Sequence, residues 1–503
     1  MTVMAEIARR LIEAVPHGLL VETIGDVDGA HLIDLTHDSR EVREAWAFAC
    51  VPGGLHDGHE FAAAAVAAGA TLLLVERRLS LDVAQIVVTD VRRAMGPVAA
   101  RIHGDPATKL RIVGITGTHG KTTTTHLVGS IMRAAGWSAR EMGTLSGART
   151  TPEAPDLQRR LAGFVDAGVE AVVMEVSSHA LALHRVNGVH FDVAAFTNLG
   201  RDHLDLHESM EAYFRAKASL FTADLTDVGI TNLDDPYGRL LLDGADIEMV
   251  GYRMDDAQDL EVGVGHHAFR WRGTPVSVPL GGRFNAANSL CALAIAERLG
   301  IDADVAARGL ASIPPVPGRF EVVSEPDAPF SVVVDYAHTP DGLVEVLSAV
   351  RDVHVGTVGA GRVICVFGCG GDRDRDKRPM MGAAAAAHAD LVVATSDNPR
   401  HEDPRAIIDD AVAGVEPRYR DRVSIEVDRR AGIAIALRAA TPGDVVVIAG
   451  KGHESTQTIG DTAYPFDDRD VARELLAEMN LRTPDDQPDR SDEPDRDVPG
   501  DTA

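Results

Sequence analysis

This sequence predicts an α/β fold of three domains built on mostly parallel sheets, and three observations predict it. The chain has 503 residues, too many for one hydrophobic core, and domains of ordinary size give about three. Apolar runs of strand length alternate with helical patterns along most of it, the signature of parallel sheets with crossover helices. Aromatic residues make up only 4%, while Ala and Val are abundant, a composition suited to helices packed on parallel strands.

The first block reaches about residue 104. LIDLTHDSREV and AWAFACVPGG read as short strands with turns, followed by an Ala-rich helix around EFAAAAVAAGA and the apolar strand TLLLVE. The second block, 105–328, opens with the strand RIVGIT, a Gly-rich loop and the helical pattern THLVGSIMRAAG. Strand-like AVVMEVS, AAFTNL and DVGITNLDD follow, and the block closes near IPPVPGRFEVV. The third, 329–481, has strands SVVVDYAHTP, RVICVFGCGG, DLVVATSDNP and DVVVIAGKGHE. The last three of these each end in a polar turn at the C-terminal end, where ligands bind in open α/β sheets. The tail 482–503 holds eight carboxylates and four prolines and is expected to be disordered.

A net charge of −27 argues against nucleic-acid or anionic-membrane binding, both of which need a basic field. The cysteines Cys50, Cys291, Cys365 and Cys369 form no zinc pattern and read as free thiols in a reducing compartment. With no signal-peptide pattern and no long apolar run, a cytoplasmic protein without membrane insertion is expected.

GITGTHGKTTTT, residues 114–125, resembles a phosphate-binding loop with a shortened glycine frame, since the usual first glycine position is Ile115. The strand before it and the helix after it supply the required context. Backbone N–H groups from Gly117, Thr118, His119, Gly120, Lys121, Thr122 and Thr123 are expected to face a triphosphate, with the helix N-terminus behind them. Lys121 then neutralises β/γ oxygens and the Thr122 hydroxyl holds Mg²⁺.

In MEVSSHAL, Glu175 ends a buried strand, where its charge needs a metal ion or hydrogen-bonding partners. FTNLGRDHLDLH gathers Asn198, Asp202, His203 and Asp205 at another strand end, either a metal site or a self-satisfied turn. Lys217 in YFRAKASLF reads by itself as a helix-surface lysine. TNLDDPYG offers Asn232, Asp234 and Asp235 for a purine or ribose, and NAANSL offers Asn288 at a helix start. In DNPR, Pro399 steers Asn398 away from helix and fixes the turn, so that Arg400 is presented for bidentate carboxylate recognition. AGKGHE adds Gly450 and Glu454, a carboxylate for an ammonium group, and GCGGDRD adds Arg373. Two arginines with a carboxylate describe a pocket for an amino acid bearing both charges.

Together GTHGKTT, MEVSSHAL, FTNLGRDHLD, the lysine of YFRAKASLF, DYAHTPD, GCGGDRD, DNPR and AGKGHE resemble the Mur ligase family, in order and spacing from about residue 30 to 475. The resemblance implies a small N-terminal domain for the UDP end of a substrate, a central P-loop ATPase domain and a C-terminal Rossmann-like domain for an incoming amino acid. It implies ATP as co-substrate and Mg²⁺, with Asn288, Arg319 and His338 lining the ATP site. Ser39, Thr150, Thr151, Ser177 and Arg185 are implied to contact the UDP-linked substrate. Lys217 is implied to be carboxylated, reversing the surface reading, and to hold metal with Glu175, His203 and Thr122. Lys121, Lys217, Glu175 and His203 are thereby the implied catalytic set. Arg373, Asp397, Asn398, Pro399, Arg400, Gly450 and Glu454 are implied to hold meso-diaminopimelate, since DNPR is the pattern of the branch adding that residue. The implied reaction joins meso-diaminopimelate to UDP-N-acetylmuramoyl-L-alanyl-D-glutamate through an acyl phosphate, in cytoplasmic peptidoglycan precursor synthesis, by a monomer. His119 departs from the branch's commoner Asn, and Arg149 and Leu183 stand where some relatives have Asn and Gln. A ligase for another amino acid such as lysine, and a non-catalytic nucleotide switch, are the competing readings.

Overall fold

The structure, a computed structural model, describes residues 11–27, 31–54, 56–147, 149–202, 204–354 and 361–481. His203 and the acidic tail lie outside them. The chain forms two compact units, Met1–Glu321 with Thr339–Thr357, and Val322–His338 with Val358–Ala503.

The first unit contains two α/β sheets. Strands β1 (Leu20–Ile24), β2 (Asp34–Thr36), β3 (Trp46–Ala49), β4 (Ala70–Val75) and β5 (Ala84–Val88) form one, in the order β1-β5-β4-β3-β2. Only β1 runs antiparallel. The second is β6 (Arg111–Thr116), β7 (Ala139–Met142), β8 (Ala171–Glu175), β9 (Phe191–Phe196), β10 (Thr226–Asn232) and β11 (Glu248–Tyr252), ordered β11-β10-β9-β6-β8-β7 and parallel throughout. The chain builds one side of β6 and then crosses to the other, so the C-terminal end of β6 is the topological switch point, where open α/β sheets place their ligands. Val113 and Ile115 of β6 and Leu127, Val128 and Ile131 of the helix Lys121–Ala134 share one buried core. That packing fixes the strand–loop–helix unit.

An antiparallel meander, β12 (Gln258–Val262), β13 (His267–Trp271) and β14 (Thr274–Val278), was not expected from the sequence. It buries His267 against the helix Arg283–Arg298. The Leu280 carbonyl 2.6 Å away requires the Nδ1–H tautomer, leaving Nε2 to accept from the Ser289 hydroxyl at 3.0 Å. Burial pushes this imidazole from 6.5 down to about 4. The unfolded chain therefore takes up a proton below pH 6.5 that the folded chain refuses. The associated stability is complete above pH 6.5 and is lost as pH falls toward 4, a difference of about 3 kcal/mol. His267→Gln is expected to flatten the fall in unfolding free energy between pH 6.5 and 4, measured by urea titration at each pH.

The second unit is a sheet of β15 (Glu321–Val322), β16 (Ser331–Asp335), β17 (Val363–Phe367), β18 (Leu391–Ala394), β19 (Val423–Ile425) and β20 (Val445–Ala449), ordered β15-β16-β20-β17-β18-β19. Strands β16 to β20 pair in parallel. A hairpin of β21 (Thr456–Ile459) and β22 (Thr462–Pro465) follows β20. The domain limits read from the sequence, 1–104, 105–328 and 329–481, remain a proposal. The compact units cut the chain at 321/322 and return the helix Pro340–His354 to the first.

Candidate active site

In the first unit, the loop 117–120 leaves the end of β6 between the ends of β8 and β9, with Ile115 paired to Glu175 and Thr116 to Phe196. Gly120 has φ 81° and a side chain there would run into Asn288 Oδ1, so only glycine lets the chain turn into the helix while touching its neighbour. Asn288 lies inside the helix Arg283–Arg298 rather than at its start, where Nδ2 donates to Asn285 Oδ1 at 3.0 Å. Around His119, Asn198 Oδ1 accepts from the backbone N–H at 2.9 Å and the Thr197 hydroxyl donates to the carbonyl at 2.6 Å. The backbone of His119 is thereby fixed by the turn after β9.

Lys121 Nζ donates to the Gly117 and Thr118 carbonyls, both at 2.9 Å. Lys217 Nζ donates to the same Gly117 carbonyl at 2.8 Å. The sequence-only reading of Lys217 as a surface lysine is wrong, because the residue is 1% exposed. It lies over the Tyr213 ring, 4.5 Å from the centroid, and Tyr213 is in turn hydrogen-bonded to Thr118 Oγ1 at 3.1 Å. Burial, together with the Lys121 charge, holds the Lys217 ammonium well below its ordinary pKa, against the pull of Asp202. Burial also lowers Lys121, opposed by Glu175 and Asp202. Two buried amines on one carbonyl favour a neutral amine at one of them.

Glu175 is 1% exposed. Its Oε1 accepts from the Thr122 hydroxyl at 3.1 Å and from Thr144 N–H at 2.8 Å, and its Oε2 from the Thr144 hydroxyl at 3.2 Å. Among the described residues no cluster of three His, Cys, Asp or Glu gathers as a metal site. The donors present beside the loop, one carboxylate and one hydroxyl, are hard oxygens of the kind Mg²⁺ takes along with phosphate and water. Thr122 and Glu175 therefore fit Mg²⁺. Asn232 Nδ2 donates to the Thr197 carbonyl at 2.9 Å, and Asp235 caps the helix Pro236–Gly244 while accepting from Leu199 N–H at 3.0 Å. These two serve the loop architecture. Arg319 is close enough for its charge to act on Lys121. His338 belongs to the second unit, its Nδ1 donating to the Tyr336 carbonyl at 2.9 Å.

A second cluster stands just beyond the C-terminal end of β8. The Thr151 hydroxyl donates to the Glu175 carbonyl at 2.9 Å and accepts from Ser177 N–H at 3.1 Å. Thr150 bonds Thr144 Oγ1 at 3.1 Å, and Arg185 Nη1 donates to the Thr151 carbonyl at 3.4 Å. Four of the five residues expected at the UDP-linked substrate are thus together. Ser39 lies half-buried on the loop after β2, and no hydrogen bond among the described residues joins it to them. Glu153, which sequence reasoning missed, holds this cluster. It is 3% exposed and pairs with Arg185 at 2.7 Å, Arg149 at 2.9 Å and Arg92 at 3.3 Å. Burial raises its carboxyl, but Arg185, His37, Arg92 and Arg149 together bring it below the ordinary value.

In the second unit, the turns after β17, β18 and β20 converge. Arg400 has φ 51°, a left-handed conformation costly for a side-chain-bearing residue and typical of ligand-holding turns. It is held by backbone bonds to Thr458 and Gly460 and by Nη1 donating to the Gly371 carbonyl at 2.7 Å. Asn398 Nδ2 donates to Glu454 Oε2 at 2.8 Å. Gly450, with φ 115°, lets the chain pass Asp397, whose Oδ2 would lie 2.8 Å from any added Cβ. Arg373 is exposed on the first turn, donating to the Asp372 carbonyl at 3.3 Å. The sequence reading missed Lys451 and Arg429, both buried. Arg429 forms a bidentate pair with Asp468, at 2.8 and 2.7 Å, and donates to the carbonyls of Ser396 and Ala449. It thus ties together the last residues before DNPR and GKGHE.

Residues 32–103 match the Mur ligase family catalytic domain, 115–296 the Mur ligase middle domain and 318–452 the Mur ligase glutamate ligase domain. The chain is 43% identical to the UDP-N-acetylmuramoyl-L-alanyl-D-glutamate–2,6-diaminopimelate ligase of Streptomyces coelicolor, over 94% of this chain and 96% of that protein. It is 41% identical to the enzyme of the same name from Syntrophomonas wolfei, over 93% and 99%. A solved structure of a ligase of that name superposes with a TM-score of 0.67 at 33% identity, covering 94% of this chain and 99% of that one.

Proposed function

The chain belongs to the Mur ligase family, and from that premise we infer that it is an ATP-dependent ligase joining 2,6-diaminopimelate to the D-glutamate of UDP-N-acetylmuramoyl-L-alanyl-D-glutamate. The observation that carries the choice of amino acid is the convergence of Arg400, Asn398 and Glu454 on adjoining turns of the second unit. A guanidinium with a carboxylate suits a distal group carrying both an ammonium and a carboxylate. Lysine lacks that distal carboxylate.

The D-glutamate γ-carboxylate attacks the γ-phosphorus of ATP, the bond to ADP breaks and an acyl phosphate forms. An amine of diaminopimelate then adds to the acyl carbon and inorganic phosphate leaves, giving the amide. The loop amides of 117–123 bind the phosphates, and the Lys121 ammonium balances negative charge as the phosphoryl group moves. Thr122 and Glu175 would hold Mg²⁺, which supplies further charge neutralisation on the phosphate oxygens. His203 and a carboxylated Lys217 join that set in this reading. Addition of Lys217 Nζ to CO₂ with loss of a proton requires a neutral amine, the form that burial of Lys217 favours. Thr150, Thr151, Ser177 and Arg185, braced by Glu153, receive the sugar-linked dipeptide. The protein works as a monomer in the cytoplasm. Its four cysteines are buried free thiols pushed up to about 12, which suits a reducing compartment, and no described helix is long and apolar enough to cross a membrane.

Phosphate release from ATP, measured with the UDP-linked dipeptide and a panel of amino acids, tests this directly. Diaminopimelate is expected to be used with a kcat/KM about 10³-fold above that of lysine. Equal use of the two overturns the assignment, and ATP binding without phosphate release on any amino acid would return the chain to a nucleotide switch.

A further inference from the structure

Lys451 stands between the two glycines of the turn after β20 and is 0% exposed. Its three ammonium donors are all used, reaching Thr456 O at 2.7 Å, Glu454 Oε2 at 3.0 Å and Asn398 Oδ1 at 3.2 Å. Asn398 Oδ1 also accepts from Thr458 N–H at 2.9 Å, and its Nδ2 donates to Glu454 Oε2 at 2.8 Å. The orientation of the Asn398 amide is therefore settled by two donors on its oxygen, and Glu454 is gripped through one carboxylate oxygen from the buried side. The Glu454 side chain keeps 33% of its surface exposed while that of Lys451 keeps none. The lysine thus lies behind the recognising groups rather than among them.

We propose that Lys451 is a positioning residue that sets the specificity of the amino-acid site, both by fixing Asn398 and Glu454 and by tipping the charge of the site to positive. The inference rests on the diaminopimelate reading above. Among the residues assigned to the amino acid, Arg373 and Arg400 balance Asp397 and Glu454 in formal charge, so Lys451 adds one positive charge in excess. Diaminopimelate with its attacking amine neutral has two carboxylates and one ammonium, one negative charge in excess. Lysine in the same state is neutral overall. A buried charge is screened less by solvent than a surface one and so discriminates between those ligands. Without Lys451 that excess is gone, and the preference for the second carboxylate rests on Arg400 alone. The Arg429–Asp468 pair behind it is self-compensated and leaves this balance unchanged.

The test uses the full chain with ATP and the UDP-linked dipeptide, comparing kcat/KM for diaminopimelate and for lysine in the wild type, Lys451→Met and Glu454→Gln. Lys451→Met is expected to lower the diaminopimelate-to-lysine ratio by about tenfold, with KM for ATP within about twofold of the wild type. A purely structural lysine would depress both amino acids alike and leave the ratio in place. Glu454→Gln keeps an acceptor for both donors and removes the opposite charge, so it is expected to move the ratio upward. If thermal melting shows Lys451→Met to be unfolded, Lys451→Gln, which keeps a donor and removes the charge, takes its place and is expected to lower the ratio in the same direction. Ratios unmoved or moved in the wrong direction overturn the role of Lys451 while the active wild type keeps the function reading intact. A wild type that turns over no diaminopimelate sinks both.

Discussion

Arg400→Ala is expected to lower kcat/KM for diaminopimelate by about 10³-fold while KM for ATP moves by less than about twofold. The guanidinium is the one group of the DNPR turn built to meet a carboxylate with parallel donors. The fold spends backbone strain to present it. Arg400 sits at φ 51°, and hydrogen bonds to Thr458, Gly460 and Gly371 hold it there. Alanine tolerates that backbone no better and no worse than arginine, so the loss reads the side chain alone. Lysine at 400 is not expected to rescue, because a point charge cannot reproduce the planar fork. Steady-state kinetics with diaminopimelate varied at saturating ATP settle the matter. A variant that loses ATP affinity in parallel would show that Arg400 supports the unit as a whole.

Lys121→Met is expected to reduce kcat by at least about 10³-fold, with the KM for diaminopimelate little changed. The Lys121 ammonium is fixed across the loop by the Gly117 and Thr118 carbonyls, where the proposed function places the transferred phosphate. Burial lowers its pKa against the pull of the Glu175 and Asp202 carboxylates, a desolvation that a methionine does not suffer. The variant is therefore expected to melt no lower than the wild type. Rapid quench of a single turnover, following ADP formation, separates phosphoryl transfer from the later amide step. Retention of kcat within about tenfold would remove Lys121 from the chemistry.

What could be read from sequence was what local chemistry dictates. RIVGIT followed by GTHGKT specifies a strand, a phosphate-facing turn and a helix within a dozen residues, and the structure has β6, the loop and the helix Lys121–Ala134 in that order. DNPR likewise carries its own geometry in Pro399. Partnerships across long separations were not legible. Nothing near YFRAKASLF says that Lys217 reaches the Gly117 carbonyl, a hundred residues away in the chain, although Tyr213 one helical turn earlier was a local hint of a covered face. Glu153 meets Arg92 only because the helices Val91–Ile102 and Ala154–Asp166 pack together. The meander β12–β14 escaped because its strands are short and polar at alternate or irregular positions, as QDLEV and TPVSV show. Lys451 was hidden by its glycine neighbours, which made it look like part of an exposed turn.

The Arg429–Asp468 pair has a genetic consequence. Asp468 opens the final described helix, so a stop codon before it removes the counterion of an arginine whose side chain is 0% exposed. An uncompensated charge at that depth costs several kcal/mol, much of the stability of an ordinary domain. Such alleles are expected to behave as nulls through clearance of the unfolded chain rather than as slow enzymes.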